Sequence, residues 1–313
     1  MPYKYKKTGN HTAVTEFLIL GFSEFPELQL LLFVLFLLLY LMAVLGNLLI
    51  ICIICVDRHL HSPMYFFLTN LSVLDMSSLM VTVPRLLAIL MTRNNTISFA
   101  ECILQIHCFL SCVAVEFLIL TVMAYDRYVA ICNPLRYTVI MNKKVCALLA
   151  MVSWVLGFLE LLPHSIIISQ FSYCDSNVIN HFFCDFTALL KLSCSDTSIS
   201  DVTTFIESVF ITFTPFILTL TSYVFIISTI LRIRSKEGKR KAFSTCSSHL
   251  TVIILLYGSM IAVYMQPSSG GSVKSNKLIT AVYVFALPLL NPLIYSLRSK
   301  ELNVALKKAI TRK

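Results

Sequence analysis

Seven separate apolar runs, each about as long as a helix that crosses a bilayer, dominate this chain. They cover Leu28–Cys55, Pro63–Leu90, Cys102–Tyr125, Val145–Ser169, Thr204–Leu231, Leu250–Met265 and Leu278–Leu297. A spanning helix needs about 20 consecutive apolar residues, because its backbone polar groups must be satisfied within the segment once water is gone. The sixth run is the shortest and least apolar, with a polar lead-in from Lys241, and its place in the series marks it as a span. Only 13% of the 313 residues are charged, against about 25% in a soluble domain, so a water-exposed surface of this size could hardly be built. No internal repeat of about 20 to 50 residues is visible, which argues against a transporter made of repeated halves. The reading is an all-α membrane protein, a seven-transmembrane helix bundle over residues 28–297. A segment 1–27 precedes it, a long loop 170–203 joins spans four and five, and a tail 298–313 opens on a short amphipathic helix.

Basic residues orient this bundle. Loops after spans one, three and five, together with the tail, hold most of the 25 Lys and Arg, among them Arg58, Arg136, Lys143, Lys144, Arg232, Lys241, Lys307 and Lys308. Such loops face the cytoplasm, which makes 1–27 an extracellular N-terminal segment, 170–203 an outer loop and 298–313 a cytoplasmic tail. Lys4, Lys6 and Lys7 run against this, but about 20 residues from the first span their topological weight is small. The net charge of +9 is then a matter of orientation and of anionic membrane lipid, and implies no nucleic acid. No basic start followed by an apolar core and a small-residue cleavage site is evident, so the first span is expected to act as the anchor. Asn10-His11-Thr12 is a glycosylation acceptor on the outer side. Asn94-Asn95-Thr96 lies close to the membrane and is the weaker candidate. Asn70-Leu71-Ser72 sits inside a span, where no transferase reaches.

The eleven cysteines divide by compartment. Cys52, Cys55, Cys108, Cys112, Cys132, Cys146 and Cys246 lie within spans or near the cytoplasmic face, where thiols stay reduced. Cys102, Cys174, Cys184 and Cys194 lie on the oxidising side and invite two bridges, in any of three pairings.

Residues Met123 to Tyr137 read MAYDRYVAICNPLRY. Asp and Arg are costly in hydrocarbon, so an ionisable pair closing an apolar helix sits at the interface or serves function. An Arg held by its neighbouring Asp is a charged fork that can be released to a partner. These fifteen residues resemble the end of the third transmembrane helix of rhodopsin-like G-protein-coupled receptors, and in their longer form the olfactory receptor family. Further stretches carry the likeness: Gly46-Asn47, LHSPMYFFL over Leu60–Leu68, Leu71 to Asp75, Trp154, Ser222-Tyr223, KAFSTCSSHL over Lys241–Leu250, and PLLNPLIYSLRSK over Pro288–Lys300. Tyr257-Gly258 stands where most other rhodopsin-like receptors carry Trp-x-Pro, as is usual in olfactory receptors. Arg298-Ser299-Lys300 departs mildly from the family's Arg-Asn-Lys.

The resemblance implies an odorant receptor at the plasma membrane. It would bind small, mostly apolar organic molecules in the outer half of the bundle and activate a stimulatory, olfactory-type heterotrimeric G protein to raise cAMP. It selects the pairings Cys102–Cys184 and Cys174–Cys194. It assigns coupling to Asp126, Arg127 and Tyr128, with Tyr223, Asn291, Pro292 and Tyr295. Independently of the family, Pro215 and Pro292 remove backbone donors and are expected to kink their helices. The Tyr223 and Tyr295 phenols, near cytoplasmic helix ends, can bridge Arg127 once helices shift. The family's pattern places ligand contacts at Phe109, Leu110, Val113 and Ala114 on span three, and at Glu207, Ser208 and Ile211 on span five. Tyr257, Met260, Ile261 and Tyr264 on span six complete the set. Tyr257 and Tyr264 are seven residues apart on one helix face, and Phe109 is expected to approach them. Phe109 stands where amine receptors bear an aspartate, and Phe285 where opsins bear the retinal lysine, which speaks against both classes.

Asp75 and Glu116 are two acids deep within spans two and three, costly there unless paired, hydrated or protonated. Glu116 lies eleven residues before Arg127, about three turns up the same helix. Asp75 resembles the receptor sodium-site aspartate. The pair is expected to face each other with Asn47 and Asn291 nearby, sharing a proton or binding Na+, and no other cofactor is expected. The main alternative function is a chemoreceptor of the same fold for a lipid or other small metabolite outside olfactory tissue. A channel or transporter would need more intramembrane charge than Asp75 and Glu116, with Glu160 and Glu207 nearer the outer ends. No nucleophile–base constellation or metal spacing supports an enzyme.

Overall fold

Span three is the axis around which the other helices are arranged. Its apolar window is 67% buried inside the bundle, against 11% for the first span, which stands at the edge with most of its side chains outward. The computed structural model describes residues 14–23, 25–92, 94–173, 176–264 and 273–311. Six helices among them are long and apolar enough to cross a membrane: Pro26–Val56, Pro63–Thr92, Phe99–Cys132, Lys143–Ser169, Ser198–Arg232 and Lys236–Ile261. The seventh, Val273–Arg298, turns by 90° into the helix Lys300–Thr311. This tail helix buries Leu302 and Ala305 against spans one and seven. The expected amphipathic helix after span seven is thus present. The sixth helix begins at Lys236, earlier than the lead-in at Lys241 suggested, and Met265 lies outside the described residues.

Two spans are not continuous α-helix, each for a proline-related reason. Span four ends its first section at Leu159 and restarts at Leu162, with Pro163 in the first turn, where its missing N–H costs nothing. In span five a π turn over Ser208–Phe213 precedes Thr214 and Pro215. A proline ring crowds the carbonyl one turn earlier, and widening the helix there relieves it. The kink expected at Pro215 therefore takes the form of a π turn ahead of it. Thr121 of span three donates to the Pro215 carbonyl at 3.3 Å and lies 3.1 Å from the Thr219 hydroxyl, tying spans three and five at this break.

Spans three and four meet at Gly157. A β-carbon there would lie 2.5 Å from Val115 Cγ2 and 2.9 Å from its backbone nitrogen, which cannot move aside. Gly157→Ala is expected to cost about 1–3 kcal/mol through overpacking. A thermal unfolding midpoint of the purified protein would read this, with Gly258→Ala as the control, since nothing lies within 4 Å of that position. Equal midpoints for the two variants would contradict it.

At the disulfide end a three-stranded sheet caps the bundle. Strand β1 (Glu16–Ile19) lies between β2 (Thr96–Ser98), antiparallel to it, and β3 (Val178–Ile179), parallel to it. Phe17 and Ile19 are completely buried, and the Phe17 ring meets Phe99 and Tyr173. The segment before span one, read above only as an extracellular stretch, is therefore structural. Cys102 and Cys184 are bridged. Cys194 is disulfide-bonded as well, while Cys174, like Asn10, lies outside the described residues. The seven cysteines expected to stay reduced are free.

Candidate functional site

Beneath the sheet, aromatic rings close the top of the bundle. Phe182 of the outer loop stacks on Phe22, which stacks on Phe36, which in turn stacks on Phe285 of span seven. Phe183 meets Phe109 of span three, with ring centroids 5.2 Å apart. His181 stacks on Phe182 and lies edge-on to Phe183. Burial holds its imidazole down at about 4, Lys277 adding to the shift and Asp185 opposing it, so the ring is neutral at physiological pH and packs as an aromatic. Lys277 donates to the Gly21 carbonyl at 3.1 Å, anchoring the N-terminal segment to span seven.

The proposed ligand positions do not form one wall. Phe109 and Val113 line a small cavity shared with Asp75 and Glu116, while the ring neighbours of Tyr257 are Phe117 and Phe216, each at 4.9 Å. The expected approach of Phe109 to Tyr257 is thus replaced by Phe109 on Phe183. Tyr257 points its hydroxyl toward the Thr212 carbonyl in the π turn, at a long 3.4 Å. Ala114 and Ile211 are buried; Leu110, Ser208 and Met260 are half-buried. Ser208 bonds back to the Thr204 carbonyl. Ile261 is 57% exposed and turns away from the bundle. The side chain of Tyr264 lies outside the described residues. Glu207 is buried, but its Oε2 lies 2.9 Å from Nδ1 of His164 on span four, an ion-pair geometry that sequence reading did not anticipate. The available signal was a histidine directly after the span-four proline.

Midway along the bundle, Asn291 of span seven donates to both carboxylate oxygens of Asp75, at 3.2 and 3.0 Å. Asp75 and Glu116 line one cavity of about 20 Å³, room for a single water-sized guest. Glu116 Oε1 is buried with no hydrogen-bond partner among the described residues. A buried acid in that state implies a proton, a water or an ion at the cavity. Asn47 does not join this cluster directly. Its amide donates to the carbonyls of Ala43 and Pro288, joining spans one and seven beside the cavity wall.

At the far end of span three, Asp126 and Arg127 form the ion pair expected of neighbours, with Nη2 to Oδ2 at 3.0 Å. Asp126 is fully buried and also accepts from the Tyr137 hydroxyl at 2.7 Å. Burial, with Asp126 beside it, pushes the Tyr137 phenol up, so it remains a protonated donor. Tyr128 packs its ring against Phe225. Tyr223 is bonded to Nδ1 of His249 on span six at 2.8 Å, and not to Arg127. Tyr295 is buried with its hydroxyl unpaired among the described residues. Tyr223, His249 and Tyr295 all lie within electrostatic reach of Arg127. His249 and Tyr137 were not singled out from the sequence, although both sit inside the stretches that carry the resemblance. Tyr65, which bonds Ser299 and Glu301 and so pins the tail helix to span two, was likewise missed.

Comparison with known proteins agrees with this arrangement. The family model described as olfactory receptor matches residues 36–313. The chain is 47% identical over 304 residues to olfactory receptor 5AR1 of Mus musculus, covering 97% of this chain and 98% of that one. It is 47% identical over 301 residues to olfactory receptor 2A12 of Homo sapiens, covering 96% and 97%. It is 46% identical over 301 residues to olfactory receptor 6C3 of Homo sapiens, again covering 96% and 97%. The chain therefore belongs to the olfactory receptor family of G-protein-coupled receptors, as a multi-pass protein of the plasma membrane and not an enzyme.

Proposed function

We propose that this receptor binds small organic molecules, neutral or weakly polar, within the disulfide end of the bundle. It then signals through Arg127 to a stimulatory, olfactory-type G protein and raises cAMP, with the N-terminus and Asn10 outside the cell. One observation carries the reading: Tyr257 of span six has the rings of Phe117 of span three and Phe216 of span five as its neighbours, and the acid Glu207 faces His164. Such a lining suits an apolar guest with at most one hydrogen-bonding group. A ligand of about ten to fifteen heavy atoms can reach micromolar potency there, about −8 kcal/mol. In cells, a ligand panel read by cAMP tests this. Tyr257→Phe should weaken agonists bearing a hydroxyl or carbonyl by up to about tenfold, the worth of one hydrogen bond, and spare hydrocarbons. Tyr257→Ala should weaken all of them. A peptide or biogenic amine as the best agonist would sink the reading.

The Asp75–Glu116 cavity is proposed as a shared-proton site that can take Na+ in the proton's place. Two carboxylates in one buried cavity repel when both are ionised, so removing either changes the other. Asp75→Asn and Glu116→Gln should each shift basal cAMP and its sodium sensitivity, and the double variant should depart from the sum by about 0.5 kcal/mol or more. Strict additivity, with no sodium dependence in any variant, excludes a common site.

A further inference from the structure

Where spans two and three reach the disulfide end, a cleft of about 330 Å³ opens on the outer surface of the bundle. Val81 and Arg85 line it from span two, and Glu101, Leu104, Gln105 and Cys108 from span three. Its polar groups are unequally satisfied. Gln105 is engaged through both ends of its amide, donating to the Val81 carbonyl at 2.7 Å and accepting from the Cys184 N–H at 2.9 Å. Glu101 accepts through Oε2 from the Ser98 N–H at 3.2 Å, as part of the capping box that starts span three. Arg85 is the exception. Its Nε and Nη2 are buried with no hydrogen-bond partner among the described residues. A guanidinium is always charged and carries five donors in a fixed fork; Glu101 lies within its electrostatic reach but supplies no hydrogen bond to those two nitrogens, so leaving them unmet at the edge of hydrocarbon is costly.

Arg85 lies seven residues before the end of span two at Thr92, about 10 Å down the helix. At that depth a long basic side chain reaches the level of lipid headgroups. We propose that this cleft holds the headgroup of a zwitterionic phospholipid, its phosphate on the Arg85 fork and its ammonium facing Glu101. The guanidinium matches two phosphate oxygens at once, which a hydrated point charge would not. Leu104, 60% exposed and one turn from Cys108 on the same wall, offers the acyl chain an apolar track that a soluble anion would not use. The site is separate from the Asp75–Glu116 cavity and from the residues around Tyr257, so it stands whether or not the odorant reading does.

The full chain, purified in detergent, is titrated with dihexanoylphosphatidylcholine and bound lipid is counted by native mass spectrometry. Parallel titrations use dihexanoylglycerol, glycerophosphocholine and inorganic phosphate. The phosphatidylcholine should bind at least about tenfold more tightly than any of the three. Arg85→Gln should weaken it about tenfold or more, and Leu104→Trp, which fills the cleft from its exposed wall and leaves the charge in place, should do likewise. Glu101→Gln should lower the preference for phosphatidylcholine over dihexanoylphosphatidic acid. Unchanged binding in either of the first two variants overturns the proposal. Equal binding of dihexanoylglycerol shows that the headgroup is not read, and equal binding of phosphate or glycerophosphocholine assigns the cleft to a soluble anion; both also overturn it.

Discussion

Arg127→Ala is expected to abolish the cAMP response to every agonist while the receptor still reaches the cell surface and binds ligand. Three features of the structure set the size and the selectivity of that effect. Among the described residues the guanidinium is held by its sequence neighbour Asp126 alone, at 3.0 Å, so it is tethered locally and not woven into distant helices. Tyr223, His249 and Tyr295 lie within electrostatic reach of it, yet Tyr223 is committed to His249 in the present arrangement. Removing the fork leaves Asp126 with its bond from Tyr137 at 2.7 Å, which shields the carboxylate from being wholly unpartnered. Loss of one partner of a buried pair costs about 3–5 kcal/mol when nothing else holds the other, and Tyr137 should keep the cost well below that range. Surface immunostaining and ligand-stimulated cAMP separate the two quantities. A full response from Arg127→Ala would reduce the residue to an interfacial anchor, and Tyr137→Phe combined with Arg127→Ala should lower surface levels where neither single change does.

Cys184→Ser should eliminate surface delivery. The bridge to Cys102 spans 82 residues, and a ring of that size is worth about 4.5 kcal/mol in loop-closure entropy. More than a loop is at stake, because Cys184 also donates its N–H to Gln105 and follows Phe182 and Phe183 in the chain, whose rings seal the top of the bundle. Losing the bridge therefore loosens the sheet, the ring stack and the anchoring of span three together. The double variant Cys102→Ser with Cys184→Ser removes the stray thiol and isolates the effect of the bond. Normal surface levels in the double variant would show that the bridge is dispensable and that an unpaired cysteine alone does the damage.

The sequence by itself determined the number of spans, the ion pair at the end of span three and the cysteines that stay reduced. Hydrocarbon imposes length and composition on any spanning helix, so the runs are visible without knowledge of their neighbours. Asp126 and Arg127 are adjacent in the chain and need no tertiary information to meet. What each helix presents to its neighbours was not legible. The first span is the most apolar of the six long helices and the least buried, the reverse of a soluble core, because lipid is as apolar as the interior and leaves little periodic signal for facing. Hence Ile261 could be assigned inward and lie outward, and Glu207 could be assigned to a ligand while it faces His164. The lid was hidden for a different reason. Strand β1 is only Glu16–Ile19, and its partners lie at Thr96–Ser98 and Val178–Ile179, so its register exists only once the bundle has brought three distant segments to one end. The His249–Tyr223 bond and the two Arg85 nitrogens left without a hydrogen-bond partner among the described residues share that origin, each decided by what packs across from it and not by its own neighbours in the chain.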